Sequence, residues 1–241
     1  MLKEAIEKIA ELAGPKTYKD KDGNLWSDTM LDLLERPMDH PSKLVVNSLN
    51  SIVNLVQTEA INSFADDIPI YVHVASHNLV QVFTGYRDDY SRDWLYAGQA
   101  DVPGFCKGYR DQEKALIELR SLFLPNEGVD YLLDLLSRMS NESKVTSIDN
   151  GVTQTVEAAS GISLKANVAI KPRVTLQPFR TFLEVEQPAS EFLLRINEHG
   201  EVGLFEADGG VWKLEAKNNI AAFLSAALAD EIAAGRVVVM V

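Results

Sequence analysis

His73 and His77 have the four-residue spacing that brings two imidazoles onto one metal ion when the intervening chain is helical. The surrounding residues, Ile68 to Val74, instead alternate apolar and polar side chains with the period of a strand, where rise alone separates the two histidines by roughly 13 Å. Val74 also occupies the position at which zinc proteases carry their acid. The pair is read as a sheet histidine followed by a turn histidine, and no metal site is expected. Ser76 beside His77 does not make a nucleophile and base by adjacency, and no Gly-x-Ser-x-Gly elbow occurs in the chain. Cys106, in Gly104-Phe-Cys-Lys-Gly108, has Lys107 close enough to favour its thiolate, yet a buried or half-buried structural thiol is the expectation. The stretch Asp20-Lys-Asp-Gly-Asn24 suggests calcium, but EF-hand spacing requires a Glu at position 31, where the chain has Leu31.

The run Tyr86-Arg-Asp-Asp-Tyr-Ser-Arg-Asp-Trp94 packs Asp88, Asp89 and Asp93 among Arg87 and Arg92. Paired carboxylates of this kind serve acid–base chemistry or hold a hydrated cation. More often such a run is a solvated loop with weak surface ion pairs. Its aromatic rings suit binding better than catalysis, so Arg87, Asp88, Asp89, Tyr90, Arg92 and Trp94 are the candidate binding residues. No catalytic residue is assigned. Neither a Gly-x-Gly-x-x-Gly fingerprint nor a Gly-Lys-Ser/Thr loop is present, and no cofactor is expected.

The elements around these residues predict an α+β fold. Leu2, Ala5, Ile6, Ile9 and Leu12 fall on one stripe of a helix over residues 2–13, which Gly14-Pro15 ends. Asp22-Gly23-Asn24 reads as the turn of a projecting hairpin between Tyr18 and the Leu25-Trp26 pair. A second helix is expected from Ser48 to about Phe64. Strands follow at Ile68–Val74 and Leu79–Phe83, and then a polar, glycine-containing stretch. Asp111 and Asn126 each cap a helix, the two forming an antiparallel pair about Leu124-Pro125.

From Lys144 the pattern turns strand-like, with strands predicted at Val152–Val156, Ile162–Ile170, Val174–Leu176, Phe179–Val185, Phe192–Ile196, Val202–Phe205 and Val211–Leu214. The strand at Phe179–Val185 is expected to be buried on both faces. A helix from about Asn218, ended by Gly235, and a final strand at 237–241 close the chain. The expected division is a helix-and-hairpin arm over 1–46, a helix-rich part with a β-hairpin over 47–142, and an antiparallel sheet with segregated helices over 143–241. The last two parts can also form one continuous domain.

Composition narrows the partners. With 35 Asp and Glu against 23 Lys and Arg among 241 residues, the formal charge is -12, which argues against nucleic acid as a partner. The short basic spot of Lys165, Lys171 and Arg173 is read as solvated strand surface. A lone cysteine makes no internal disulfide, the start lacks a signal-peptide pattern, and no apolar run reaches a membrane-spanning length. A cytoplasmic protein is expected, with no membrane contact.

The most distinctive residues are Leu176-Gln-Pro-Phe-Arg-Thr-Phe182, Glu184-Val-Glu-Gln-Pro188, Ser190-Glu-Phe192 and Glu206-Ala-Asp-Gly-Gly-Val-Trp-Lys213. In this order and spacing the chain resembles the YfdQ-like family of phage and prophage proteins. Tyr71-Val-His-Val-Ala-Ser76 and Tyr109-Arg-Asp-Gln-Glu113 are similar to the same family. The resemblance implies a phage-derived protein in the host bacterial cytoplasm or associated with the virion, and it brings no reaction with it. Arg180 between Phe179 and Phe182 suits a buried or an interfacial ion pair, and Trp212 suits a core or a subunit-contact anchor. The functional expectation is a non-enzymatic, self-assembling homo-oligomer, a ring or shell, with contacts at Ile6, Ile9, Trp26, Arg180 and Trp212. The alternative is a phage early-region accessory protein that binds a nucleotide, a nucleic acid or a host factor in DNA metabolism or counter-defence.

Overall fold

The structure, a computed structural model, describes residues 2–13, 16–19, 21, 25–27, 42–62, 68–86, 90, 92–105, 108–140, 144–149, 154–160, 163–197 and 199–241. It is α+β, in two compact units, Met1–Pro41 and Ser42–Val241. The first unit holds helix α1 (Leu2–Ala13) and the antiparallel strands β1 (Thr17–Lys19) and β2 (Leu25–Ser27), with Tyr18 opposite Trp26. Helix and hairpin thus fall where the sequence pattern puts them. The turn residues Asp22–Asn24, Asp20 and Leu31 lie outside the described residues.

In the second unit the chain runs through β3 (Leu44–Val46), α2 (Leu49–Asn62), β4 (Ile70–Ser76), β5 (Leu79–Thr84), β6 (Trp94–Gln99) and β7 (Gly108–Arg110). Then come α3 (Gln112–Ser121), α4 (Glu127–Ser140), β8 (Lys144–Asp149), β9 (Gln154–Ser160), β10 (Ser163–Ile170) and β11 (Arg173–Leu176). The chain ends with β12 (Ser190–Ile196), β13 (Val202–Glu206), α5 (Trp212–Ala227), α6 (Ala229–Ala233) and β14 (Val237–Met240). The caps behave as their chemistry requires: the Asp111 carboxylate accepts from the Lys114 amide at 2.9 Å and the Asn126 side chain from the Val129 amide at 2.9 Å. Among the described residues no helix is long and apolar enough to cross a membrane.

Two sheets carry the two cores. A five-stranded sheet, ordered β14-β4-β5-β6-β3, packs α2 and α5 on one face. Its core-facing residues Val72, Val74, Val80 and Val82 are wholly buried with Ile52, Val56, Ile220 and Leu224 of the helices. The alternate residues form two rows on the opposite face. One row runs Val238, Tyr71, Phe83, Trp94; the other runs Met240, His73, Gln81, Ala97, Val45. A four-stranded sheet, β11-β12-β13-β7, lays Val174, Leu176, Phe192, Leu194 and Ile196 against α3 and α4. Strands β8, β9 and β10 form a third, antiparallel sheet.

Four expectations change. Residues 179–185 form no strand: only Pro178 makes an isolated bridge, to Phe123, and the segment up to Ala189 is irregular. Pro178 and Pro188 donate no backbone hydrogen bond, and a buried glutamine replaces the ladder, as set out below. Val211–Leu214 is likewise not a strand, since α5 starts at Trp212, six residues before the expected Asn218. The buried set Trp212, Ala216, Ile220, Leu224 then has a helical period of four, while Val211 and Leu214 are exposed. The polar stretch after Phe83 contains β6 and β7, which its glycine and charged residues hid. Finally, β14 and the unexpected strand β3 both join the five-stranded sheet, each parallel to its neighbour, beside the antiparallel sheets expected in the C-terminal half. Residues on either side of position 142 share one sheet through the β14–β4 pairing.

Candidate functional site

Residues of the stretches 176–182, 187–190 and 206–213 converge on Arg180. Three of its contacts come from the irregular segment and the strand that follows it: the guanidinium Nη2 donates to the Pro188 carbonyl at 3.1 Å and to Ser190 Oγ at 2.7 Å, and the backbone amide donates to Gln187 Oε1 at 3.0 Å. Nη1 reaches Glu206 Oε1, at the end of β13, at 3.3 Å. The flat face of the guanidinium lies 3.7 Å from the centre of the Trp212 ring. His77, in the β4–β5 turn, meets the same indole edge-on at 4.7 Å. Arg180 and Trp212 are only 7% and 5% exposed.

Each element places its residue for a local reason. Asp208 accepts from the Gly210 amide at 3.0 Å and from the Trp212 amide at 3.4 Å, which starts α5 and aims Trp212 inward. That turn needs residues at φ +66° and +85°, supplied by Gly209 and Gly210. Gln187, 3% exposed, uses its whole amide: Oε1 accepts from the amides of Arg180 and Thr181, and Nε2 donates to the carbonyls of Phe182 and Val185. Glu184 caps α2 through the Leu49 amide at 2.8 Å, and the Thr181 hydroxyl donates to the His77 carbonyl. At the other end, Leu124 and Phe179 exchange backbone bonds with Gln177 and Leu122. The segment therefore ties the core of the five-stranded sheet to that of the four-stranded one.

Charge in this node follows burial. Desolvation lowers the Arg180 guanidinium to about 10, with Glu206, Asp208 and Glu215 opposing, so it stays charged at neutral pH. The His77 imidazole is held below its ordinary value, first by burial, then by Lys213 and Arg180, against an opposite pull from Glu206. A neutral imidazole against an indole, with the guanidinium bound to three acceptors, is a clamp. It presents no nucleophile: the Ser76 hydroxyl donates to Asn78 Oδ1 at 2.7 Å, inside the turn. His73 lies in the outer row of the sheet, between Gln81 and Met240, apart from His77 in the turn. No group of three His, Cys, Asp or Glu able to hold a metal occurs among the described residues.

A second cluster occupies the outer face of the five-stranded sheet. Tyr71 stacks on Phe83 at 5.7 Å, and Phe83 tilts against Trp94 at 4.8 Å. The Arg92 guanidinium sits 4.8 Å from the Phe83 ring and 4.0 Å from that of Tyr86, and Lys43 Nζ lies 5.9 Å over Trp94. Tyr90, with φ 60°, is 86% exposed. Trp94 is half exposed.

No family model, curated protein or solved structure matches the chain. The geometry therefore stands alone. Of the residues singled out in the sequence, Arg92 and Trp94 share the outer cluster and Tyr90 is exposed, while Arg87, Asp88 and Asp89 lie outside the described residues, as do Cys106 and Lys107. Arg180 and Trp212 meet each other inside the protein, which is the buried ion pair and core anchor of the two readings open to each. As placed, they present almost no surface to a second copy. Ile6 and Ile9 are exposed on α1, and Trp26 lies in β2. Arg173 pairs with Glu191 at 2.6 Å and Lys171 lies over the Tyr131 ring, so neither extends a basic groove. Sequence reasoning missed His77 as a partner of Trp212, and Gln187 and Glu184 as caps. The one available signal was the failure of strand alternation between Pro178 and Pro188.

Proposed function

We propose that the chain is a phage- or prophage-encoded protein that works by self-assembly as a homo-oligomer, with α1 as an arm that docks on a neighbouring copy. The observation that carries this reading is the exposure of two large apolar side chains on α1, Ile6 at 59% and Ile9 at 65%. Burying one such side chain stabilises an assembly by about 1.5–3 kcal/mol, which favours a partner surface for the stripe. A membrane surface fits less well, because the sequence of α1 mixes Lys3 and Lys8 with Glu4, Glu7 and Glu11 and offers anionic lipid no net attraction. In this reading the protein acts in the host cytoplasm or joins the virion. Analytical ultracentrifugation of the wild type and of the I6E/I9E double variant tests it: the wild type sediments as an oligomer and the variant as a smaller species. A wild type that sediments as a monomer at micromolar concentration removes the reading.

The outer aromatic cluster supports a second reading, that of an accessory protein. Exposed Trp94 with Lys43 over its ring and exposed Tyr86 with Arg92 over its ring suit a flat ring carrying negative charge, such as a nucleotide or an unpaired nucleic-acid base. Titration with a short oligothymidine, followed by fluorescence anisotropy, separates the two readings. Binding that W94A abolishes favours the second, and no binding at low salt eliminates it for nucleic acid.

A further inference from the structure

The five-stranded sheet ends in two strands whose outer sides nothing pairs with among the described residues, β14 on one side and β3 on the other. Soluble proteins guard such edges with lysine, proline, a bulge or a covering element, because open backbone groups recruit another strand. Here the edge sequences are Leu44-Val-Val46 and Val237-Val-Val-Met240, without a charge or a proline. Leu44 is 49%, Val45 56% and Val238 39% exposed.

The two edges also match in direction. β14 is parallel to β4 and β3 is parallel to β6. Since β5 is antiparallel to both β4 and β6, the strands β14, β4, β6 and β3 all run the same way. Laying β3 of one copy beside β14 of the next therefore gives a parallel pair of the same kind as the two outermost pairs inside the sheet. It also continues the outer rows, bringing Val45 at one end against Val238 or Met240 at the other. β3 has three residues and β14 four, so one short ladder satisfies both edges.

We propose that copies of this chain join head to tail by pairing β3 of one with β14 of the next, extending the five-stranded sheet from subunit to subunit. This rests on the reading of the protein as a homo-oligomer and adds to the α1 contact a second, directional one. Because the two edges differ, the contact is heterologous, and such contacts generate a ring when the rotation closes and a filament when it does not. A pairing of β14 with β14 is the competing geometry and stops at a dimer.

Cross-linking in the full-length chain distinguishes them. Cysteines are introduced as V45C and V238C, singly and together, in a C106S background, and the purified proteins are treated with a short bis-maleimide and separated under denaturing conditions. Both sites are exposed, and circular dichroism checks that each variant, including C106S alone, keeps the wild-type spectrum. The expected result is a ladder of covalent dimers, trimers and larger species from the double variant, and monomer bands from each single variant. Dimers from V238C alone, or a wild type that assembles while the double variant gives no ladder, overturns the head-to-tail pairing and leaves self-assembly standing. A wild type that is monomeric by sedimentation overturns both.

Discussion

Two regions of this protein draw on the same residue types and end in opposite states. The irregular segment from Gln177 to Ala189 and the described residues between Tyr86 and Trp94 each set an arginine against aromatic rings. In the first, Arg180 is enclosed, bound to Glu206, Ser190 and a carbonyl, and stacked on Trp212. In the second, Arg92 lies across Phe83 and Tyr86 at the surface, with Tyr90 exposed. The difference is the supply of fixed acceptors. Acceptors meet Nη1 and Nη2 of the buried guanidinium while its Nε is left unmet, and Gln187 lowers the backbone cost of an irregular interior segment by meeting four backbone groups. Tyr86, Tyr90 and Trp94, with no such residue enclosing them, stay exposed.

That contrast predicts where substitution hurts. Replacing Arg180 with Ala removes three polar contacts and a stacked cation and leaves Glu206 without this partner, which should cost about 3–4 kcal/mol. Urea unfolding reads it as a lower midpoint at an unchanged slope. Q187A removes the side-chain partner of four backbone groups, of which only the Phe182 carbonyl keeps another donor, the Val185 amide, and is expected to cost about 3 kcal/mol; a loss below ~1 kcal/mol would show that water replaces the amide and that the segment is not held as described.

His77 gives a pH signature. Its folded-state value is depressed, so the unfolded chain takes up the proton first, and the stability from the neutral imidazole is present above pH 6.5 and is lost as pH falls through the folded value. Thermal melts between pH 7 and 5 should decline less steeply for H77Q than for the wild type; parallel curves would remove the imidazole from the clamp. At the other region, W94A and Y90F should each change stability by less than about 0.5 kcal/mol. A large loss at Trp94 would mean that the outer cluster is a structural element after all.

What the sequence disclosed follows the same division. The periodicity of α1, α2 and α4, the caps at Asp111 and Asn126 and the strands β4, β5 and β12 were legible because each depends on neighbours within one or two turns. The start of α5 was not, because Val211 and Leu214 are exposed apolar residues that mimic strand alternation, and the decisive Asp208 cap acts across two glycines. Strand β6 was hidden because Ala97 and Gly98 carry little side chain to pattern. Residues 179–185 looked like a strand because the long-range partner that replaces the ladder, Gln187, has no local signature. The clamp was half visible: Arg180 and Trp212 stand out, and their meeting with His77 depends on a turn about a hundred residues earlier in the chain.

The central claim is that an isolated copy is incomplete, with the α1 stripe and two sheet edges awaiting other copies. Negative-stain electron microscopy of the purified full-length protein tests it most directly. The account predicts particles of uniform size built from several copies, as rings or closed shells. A field of single-copy particles at concentrations where sedimentation is also monomeric would contradict it.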